Sequence, residues 1–367
     1  MTSPEHKKHA NVQKPLGGKI HRNEIAILGA PCGIIQELSR KLATHFSDFR
    51  VGYLDAAHNN KEPVGAYTIG YTDRIDFHEV KFTSEYMEYE FRSMFNACDL
   101  VLVNGNHFKA EKQLVLINEK KKESLERKLD RLTDVLGFIL DEGEHEIHDY
   151  LKVAHSELPV VQLTELDRIA SLIQREVKTP DIKGLVLAGG KSMRMGEDKG
   201  AIDYHGLPQR EHIANLLDKF CERTFISTTK QIETSFELIP DSFADLGPFG
   251  GILSAFRQDP NSAWLVVATD IPLLDETSIS QLIKQRNPSK VATCFHNPET
   301  KFPEPLITLW EPRAYPRLLN FLTLGYSCPR KALINSEIEE LEINNLDALL
   351  NANTPAEKEQ LLAKING

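Results

Sequence analysis

The chain has 367 residues, 41% of them hydrophobic, and 43 Lys and Arg against 53 Asp and Glu give it a net charge of −10. That length suits two domains or one large one, and the apolar share is enough to fill their cores. The negative balance argues against a broad nucleic-acid surface, and the longest apolar runs, such as Trp264-Leu265-Val266-Val267-Ala268, are strand-length and too short to span a bilayer.

Residues 1–20 are polar, rich in His, Lys and Pro, and lack the apolar stretch of a signal peptide; they read as a disordered lead-in, and export is not expected. A strand, Ile25–Leu28, then runs into a glycine turn, Gly29-Ala30-Pro31-Cys32-Gly33. Ile34, Leu38, Leu42 and Phe46 follow at helical spacing. Further strands are expected at Val51–Leu54, Leu100–Val103, Gly137–Leu140 and Val160–Leu163, with one solvated helix over Glu119 to Asp134 striped by Leu125, Leu129 and Leu132. His145, His148 and His155 lie among acidic residues and read as a solvated face, not a metal site. Five cysteines (Cys32, Cys98, Cys221, Cys294, Cys328) form no CxxC pair, the usage expected of a reduced, cytoplasmic protein without disulfides or structural zinc.

Pro180 breaks the chain, which sets expected domain limits of 21–178 and 181–367. The second half repeats the first half's grammar. A strand, Gly184–Leu187, meets a glycine loop, and a helix follows near Arg210–Glu222 with Ile213, Leu216, Leu217 and Phe220 on one face. Strands are expected at Thr224–Ser227, Trp264–Ala268, Val291–Phe295 and Leu306–Trp310, and a helix near Gly251–Phe256. Alternating strands and helices imply two three-layer α/β domains whose ligands bind beyond the carboxyl ends of the strands.

The second glycine loop carries chemistry. Gly189 and Gly190 let backbone N–H groups approach a polyphosphate without a Cβ between, and Lys191, Arg194 and Lys199 supply fixed positive charge. Asp270, at a strand end, can hold Mg²⁺ against phosphates, or it can be an N-cap or turn residue before Pro272. Asp241 can equally form an Asx turn, Asn353 can cap a helix, and Glu304 can be a solvated loop acid.

Leu187-Ala188-Gly189-Gly190, then Ser192, Arg194-Met195-Gly196 and Asp198-Lys199, resemble the signature of the molybdenum cofactor guanylyltransferases, over roughly residues 182–360. Asp241-Ser242, Gly247-Pro248-Phe249-Gly250-Gly251, Asp270-Ile271-Pro272, Pro303-Glu304-Pro305-Leu306 and Asn351-Ala352-Asn353-Thr354-Pro355 follow in the family's order. The resemblance implies a Rossmann-like nucleotidyltransferase that transfers GMP from GTP to molybdopterin with Mg²⁺, with molybdoenzymes or other cofactor-synthesis proteins as candidate partners. It implies a nucleotide site of Leu187, Ala188, Gly189, Gly190, Lys199, Ser227, Asp241 and Asp270, catalysis by Lys199, Arg194 and Asp270, the metal on Asp270, and Glu304 and Asn353 on the acceptor side. Ser227 stands where the family usually has Asn and lacks an amide donor. Gly189-Gly190 favours guanylyl over cytidylyl transfer, since related cytidylyltransferases read Ala-Ala-Gly. The readings left open are another phosphate acceptor, such as a sugar phosphate, and a non-enzymatic cofactor-binding or regulatory protein.

The first glycine turn fails as a P-loop. Counting G-x-x-x-x-G-K-[ST] from Gly29 gives Ile34, Ile35 and Gln36 where Gly, Lys and Ser or Thr are required. The region around it, about residues 22–178, resembles the P-loop accessory protein of guanine-dinucleotide cofactor synthesis through Ile25–Leu28, Val51-Gly52-Tyr53-Leu54, Cys98-Asp99-Leu100-Val101-Leu102-Val103-Asn104-Gly105 and the stretch leading into Val115-Leu116-Ile117. Asn104-Gly105 replaces that protein's usual Glu-Gly. A degenerate P-loop domain serving docking, dimerisation or cofactor delivery is the expectation. Isolated residues 1–178 should therefore hydrolyse no GTP above a protein-free control in a phosphate-release assay.

Overall fold

Runs of apolar residues too short for helices become the strands of two mainly parallel sheets. The computed structural model describes residues 20–56, 68–83, 86–189, 198–229 and 231–366. The chain separates into two units, Met1–Lys178 and Thr179–Gly367.

The first unit strings together β1 (Glu24–Leu28), β2 (Val51–Leu54), β3 (Ile69–Arg74), β4 (Phe77–Phe82), β5 (Leu100–Asn104), β6 (Lys112–Ile117), β7 (Val135–Leu140) and β8 (Val160–Gln162). Six of them form one parallel sheet in the order β2-β5-β1-β6-β7-β8, while β3 and β4 form a separate antiparallel hairpin. Alternation along the strands feeds two faces. Ile25, Ile27, Leu114 and Leu116 pack with residues of the helices Cys32–His45 and Leu166–Gln174. Leu28, Val115 and Ile117 pack with Leu125 and Leu151 in a separate core. Gly29 ends β1 at φ +99°, and a Cβ there would sit 2.5 Å from the Leu116 carbonyl oxygen, so the turn requires glycine.

The second unit holds β9 (Ile182–Leu187), β10 (Thr224–Thr228), β11 (Glu237–Pro240), β12 (Ala263–Ala268), β13 (Ala292–Asn297), β14 (Phe302–Trp310) and β15 (Ile338–Glu342). Their order is β11-β10-β9-β12-β14-β13-β15, and β14 alone runs against its neighbours. Leu185, Leu187 and Val266 pack with the helices Pro248–Gln258 and Ala314–Thr323 on one side. Val186, Leu265 and Val267 pack with Gln209–Asp218 and Glu276–Lys284 on the other. Each main sheet is thus the middle of three layers, the α/β class read from the sequence. Among the described residues, no helix is long and apolar enough to cross a membrane.

Two expectations needed correction, and some strands were not foreseen. The single helix over 119–134 is broken into a 3₁₀ turn, a short helix Lys122–Glu126 and a second 3₁₀ turn Leu129–Arg131. Leu125 is buried and Leu132 packs partly on the same core, but Leu129 between them is 40% exposed. His148 is buried and stacks on Tyr150, and burial lowers its pKa, so it is not on a solvated face. No cluster of metal-ligating residues occurs among the described residues. The edge strands β11 and β15 and the hairpin β3–β4 carry too many polar or exposed positions to stand out as apolar runs. The second sheet is mostly parallel, with β14 as the exception.

One ion pair fixes the far side of this sheet. Glu311 follows β14 with its side chain fully buried, and Arg286 grips it with two donors, Nε at 2.6 Å and a terminal nitrogen at 2.8 Å. Removing one partner leaves a buried charge alone. Arg286→Ala is expected to cost about 3–5 kcal/mol in urea unfolding of the second unit. Replacing both residues with apolar ones of similar volume should recover most of that loss.

Candidate active site

The ends of three neighbouring strands line up. Ser227 of β10 registers with Leu187 of β9, and Leu187 registers with Ala268 of β12. The residues just beyond these ends therefore share one edge of the sheet. Ala188 and Gly189 continue from β9, and the Ala188 N–H donates to the Ser227 carbonyl at 3.0 Å. Gly190, Lys191 and Arg194 lie outside the described residues.

The loop returns at Asp198, whose side chain accepts from the Gly200 N–H at 3.0 Å and so caps the 3₁₀ turn Lys199–Ala201. Arg210 steadies the same carboxylate at 3.3 Å. Lys199 is thereby held on a short rigid turn, and its Nζ donates to Asn353 Oδ1 at 2.7 Å. Asn353 is not a helix cap. Thr354 caps the helix Pro355–Asn366, because its hydroxyl accepts from the Glu357 N–H at 3.3 Å while Glu357 Oε2 accepts from the Thr354 N–H at 2.9 Å. The same Glu357 oxygen takes the Asn353 N–H at 2.7 Å, and these hydrogen bonds, first that from Asn353, hold its carboxyl below the usual range. Pro at the first helical position needs no N–H partner. Thr354-x-x-Glu357 has capping-box spacing that the sequence reading did not pick out, and its service to Asn353 has no sequence signal.

Asp270 lies two residues past β12. It does not cap the following helix, for Asp275 does that by accepting from the Ser278 N–H at 2.7 Å. The Asp270 residue is half-buried, yet its Oδ1 is sealed from solvent and has no hydrogen-bond partner. Burial raises the carboxyl's pKa, and the positive charge of Lys199 partly opposes that. The Asp270 carbonyl accepts from the Ala352 N–H at 2.8 Å, which ties the Asn353 segment to the strand end.

Glu304 joins Asp270 through the reversed strand. The β12–β14 register pairs Val267 with Ile307, three residues before Asp270 and three after Glu304, so the ladder carries both acids toward the same end of the sheet. Glu304 is buried, which overturns the solvated-loop reading. Burial raises its pKa, while the hydrogen bond from Asn297 Nδ2 at 3.2 Å and the charge of Arg330 lower it; the Asp270 charge adds to the rise. Arg330, which sequence reasoning missed, stands 3.6 Å from Glu304 Oε2 and keeps a buried Nε without a partner. Its place at the start of the short helix Pro329–Ile334 carried no motif.

Asp241 and Ser227 stand on the other flank. Asp241 Oδ1 accepts from the Phe243 N–H at 2.9 Å and from the Ser254 hydroxyl at 3.2 Å, so an Asx turn is one of its duties. A Cβ on Gly250 would lie 2.5 Å from the Phe243 carbonyl and 3.0 Å from Asp241 Oδ1, and one on Gly251 would lie 3.0 Å from Ser227 Oγ. The double glycine lets the helix Pro248–Gln258 seat against both residues. The site residues thus fall into two groups flanking the β9 end: Lys199, Asn353, Asp270 and Glu304 in one, Asp241 and Ser227 in the other.

Residues 184–338 match the MobA-like NTP transferase domain. The chain is 30% identical over 187 residues to the molybdenum cofactor guanylyltransferase of Xanthomonas euvesicatoria, a stretch covering 49% of this chain and 93% of that protein. It is 33% identical over 220 residues to a molybdenum cofactor biosynthesis bifunctional protein of Synechocystis, covering 59% of this chain and 63%, less than two thirds, of that relative. Among solved structures, a molybdopterin-guanine dinucleotide biosynthesis protein A from Archaeoglobus fulgidus aligns with a TM-score of 0.44 and 20% identity over 50% of this chain and 98% of that one.

A raised carboxyl pKa penalises the folded state only where the group is charged, so the penalty is present at neutral pH and disappears as pH falls through the raised value toward the ordinary carboxylate range. Without ligand, Asp270→Asn should melt above the parent protein at neutral pH, and the gap should close on acidification. Calorimetric melts across that pH range measure it; a gap that widens toward low pH would contradict the assigned burial cost.

Proposed function

The chain belongs to the molybdenum cofactor guanylyltransferase family, and we propose that it transfers GMP from GTP to the terminal phosphate of molybdopterin, releasing pyrophosphate. The product is molybdopterin guanine dinucleotide, and the setting is the cytoplasm. The observation that carries this reading is the sealed, unpartnered Asp270 Oδ1 facing the charge of Lys199 at the strand ends.

A hard divalent cation fits that oxygen. Mg²⁺ is bound by one or two carboxylates together with phosphate and water, and Asp270 supplies the carboxylate. The Glu304 oxygens are engaged by Asn297, the Leu306 N–H and Arg330, so Glu304 is left to the acceptor side. When bound, Mg²⁺ would neutralise charge on the triphosphate.

The chain's own groups act by position and charge. Lys199, braced by Asn353, holds the α-phosphate and the leaving phosphates. Arg194 holds the β and γ end. Leu187, Ala188, Gly189 and Gly190 line the nucleotide with backbone, and Ser227 and Asp241 sit beside base and ribose. Ser227 is buried and shorter than the amide usual in the family, so base recognition there rests on a hydroxyl or on backbone. Glu304 and Asn353 face the acceptor. Its phosphate is already ionised at neutral pH and needs no strong base.

Lys199→Ala should lower pyrophosphate release, assayed with GTP, Mg²⁺ and molybdopterin, by on the order of a hundredfold or more, while leaving the unliganded melting temperature within a few degrees. GTP with Mg²⁺ at about a hundred times its dissociation constant should stabilise the parent by about 2.7 kcal/mol. Stabilisation by CTP or UTP but not GTP would overturn the guanylyl assignment.

A further inference from the structure

The first sheet has its own carboxyl edge, where ligands of parallel α/β sheets bind, and the gripping Lys and hydroxyl of a phosphate loop are absent from it. Different chemistry is gathered there. Cys32 opens the helix Cys32–His45, and its Sγ lies 3.2 Å from His107 Nε2. The same nitrogen lies 3.9 Å from Asp55 Oδ1, just past β2. Asp55 is fixed in turn: Asn104 Nδ2 at 2.8 Å and the Ala56 N–H at 2.7 Å donate to Oδ1, and the Tyr53 hydroxyl at 2.7 Å donates to Oδ2. Burial, then the bond to Asp55, pushes the Tyr53 hydroxyl well up, so it remains a donor.

The surround is cationic. Lys128 Nζ donates to the Asn106 carbonyl at 3.1 Å, with Arg131, Lys121 and Arg127 near it. Arg131 donates to the Gly105 carbonyl at 2.7 Å. The helix has no acidic residue in its first turn, and Gly33 beside the thiol faces open space. Three elements thus deliver a nucleophile, a base within reach of it, and a fixed carboxylate beside the base.

We infer that Cys32 is the nucleophile of a thiol–disulfide exchange site, with His107 as its base and small anionic disulfides as its substrates. The Cys32 proton passes to His107 Nε2, and Asp55 stabilises the imidazolium. Sγ attacks one sulfur of the disulfide, the S–S bond breaks, and a Cys32 mixed disulfide forms. The other half leaves as a thiolate and takes the proton from His107. Cys32 is oxidised and the departing half is reduced, so no further oxidant is needed. The other cysteines lack this setting. Burial pushes the Cys221 thiol up to about 12 and raises that of Cys294 as well, Cys98 packs into the core, and Cys328 is exposed with no imidazole in its described contacts.

The test uses the full chain with oxidised glutathione and, separately, with an aromatic disulfide that releases a coloured thiol. One thiol should react ahead of the rest, and peptide mapping should find it at Cys32. Cys32→Ser should abolish the fast phase, and Cys328→Ser should leave it intact. His107→Gln should slow it near neutral pH by on the order of a hundredfold, with the deficit shrinking as pH rises and hydroxide replaces the base. Asp55→Asn should slow it in the same direction by a smaller factor. A fast phase that survives Cys32→Ser, or rate–pH profiles of His107→Gln and Asp55→Asn that run parallel to the parent's, would overturn the inference.

Discussion

A carboxylate oxygen sealed from water without a donor costs free energy, and Asp270 Oδ1 bears that cost at the end of β12. The rest of the second unit is arranged around it. Lys199 brings compensating charge, Asn353 holds Lys199, and Ala352 reaches back to the Asp270 carbonyl. These contacts close a ring through parts of the chain far apart in sequence, and the Thr354–Glu357 box locks its return segment. An apolar or fully paired residue at 270 would make a quieter fold. Retaining the strained group is the pattern of a protein that trades stability for a site.

The two units show how little of such a site the backbone provides. Both present a strand, a glycine turn and a helix, and β1 and β9 each sit in the interior of a sheet covered on both faces. At the first turn the side chains collected are a thiol, an imidazole, amides and a carboxylate, with cations engaged on backbone carbonyls. At the second they are Lys199, a buried acid and the partners that position them. A shared backbone grammar therefore does not carry a shared chemistry, and each function has to be argued from its own side chains.

Most strands buried on both faces were legible, although the interior β6 was not singled out as a strand. Ile25–Leu28 of β1, Leu100–Val103 of β5 and all of β12 read as unbroken apolar runs because both sides of each are packed. Of the edge strands, β2 and β8 were legible, but β15, with three acids in five residues, and the brief β11 were not. The 119–134 segment misled because three leucines matched a helical stripe whose second member has nothing to pack on. At the site, Asp270 could be placed at a strand end from pattern alone, but whether it capped a helix depended on Asp275 being better placed. The burial of Glu304 and the approach of Arg330 are products of sheet order, and no local pattern encodes a neighbour brought in by a strand that reverses.

That reversal has a mechanical consequence. Because β14 runs antiparallel to β12, the ladder of backbone hydrogen bonds that ends at Val267–Ile307 brings Asp270 and Glu304 toward one another, each three residues beyond it. The chain between the two acids, with its helix and β13, can lengthen or shorten over evolution without altering their spacing. A slip of one residue in the ladder, by contrast, would turn Glu304 to the opposite face of the sheet. The gap between the two carboxylates is therefore insulated from insertions and deletions in that connection, and exposed to changes in strand register and in the short segments leading from the ladder to each acid.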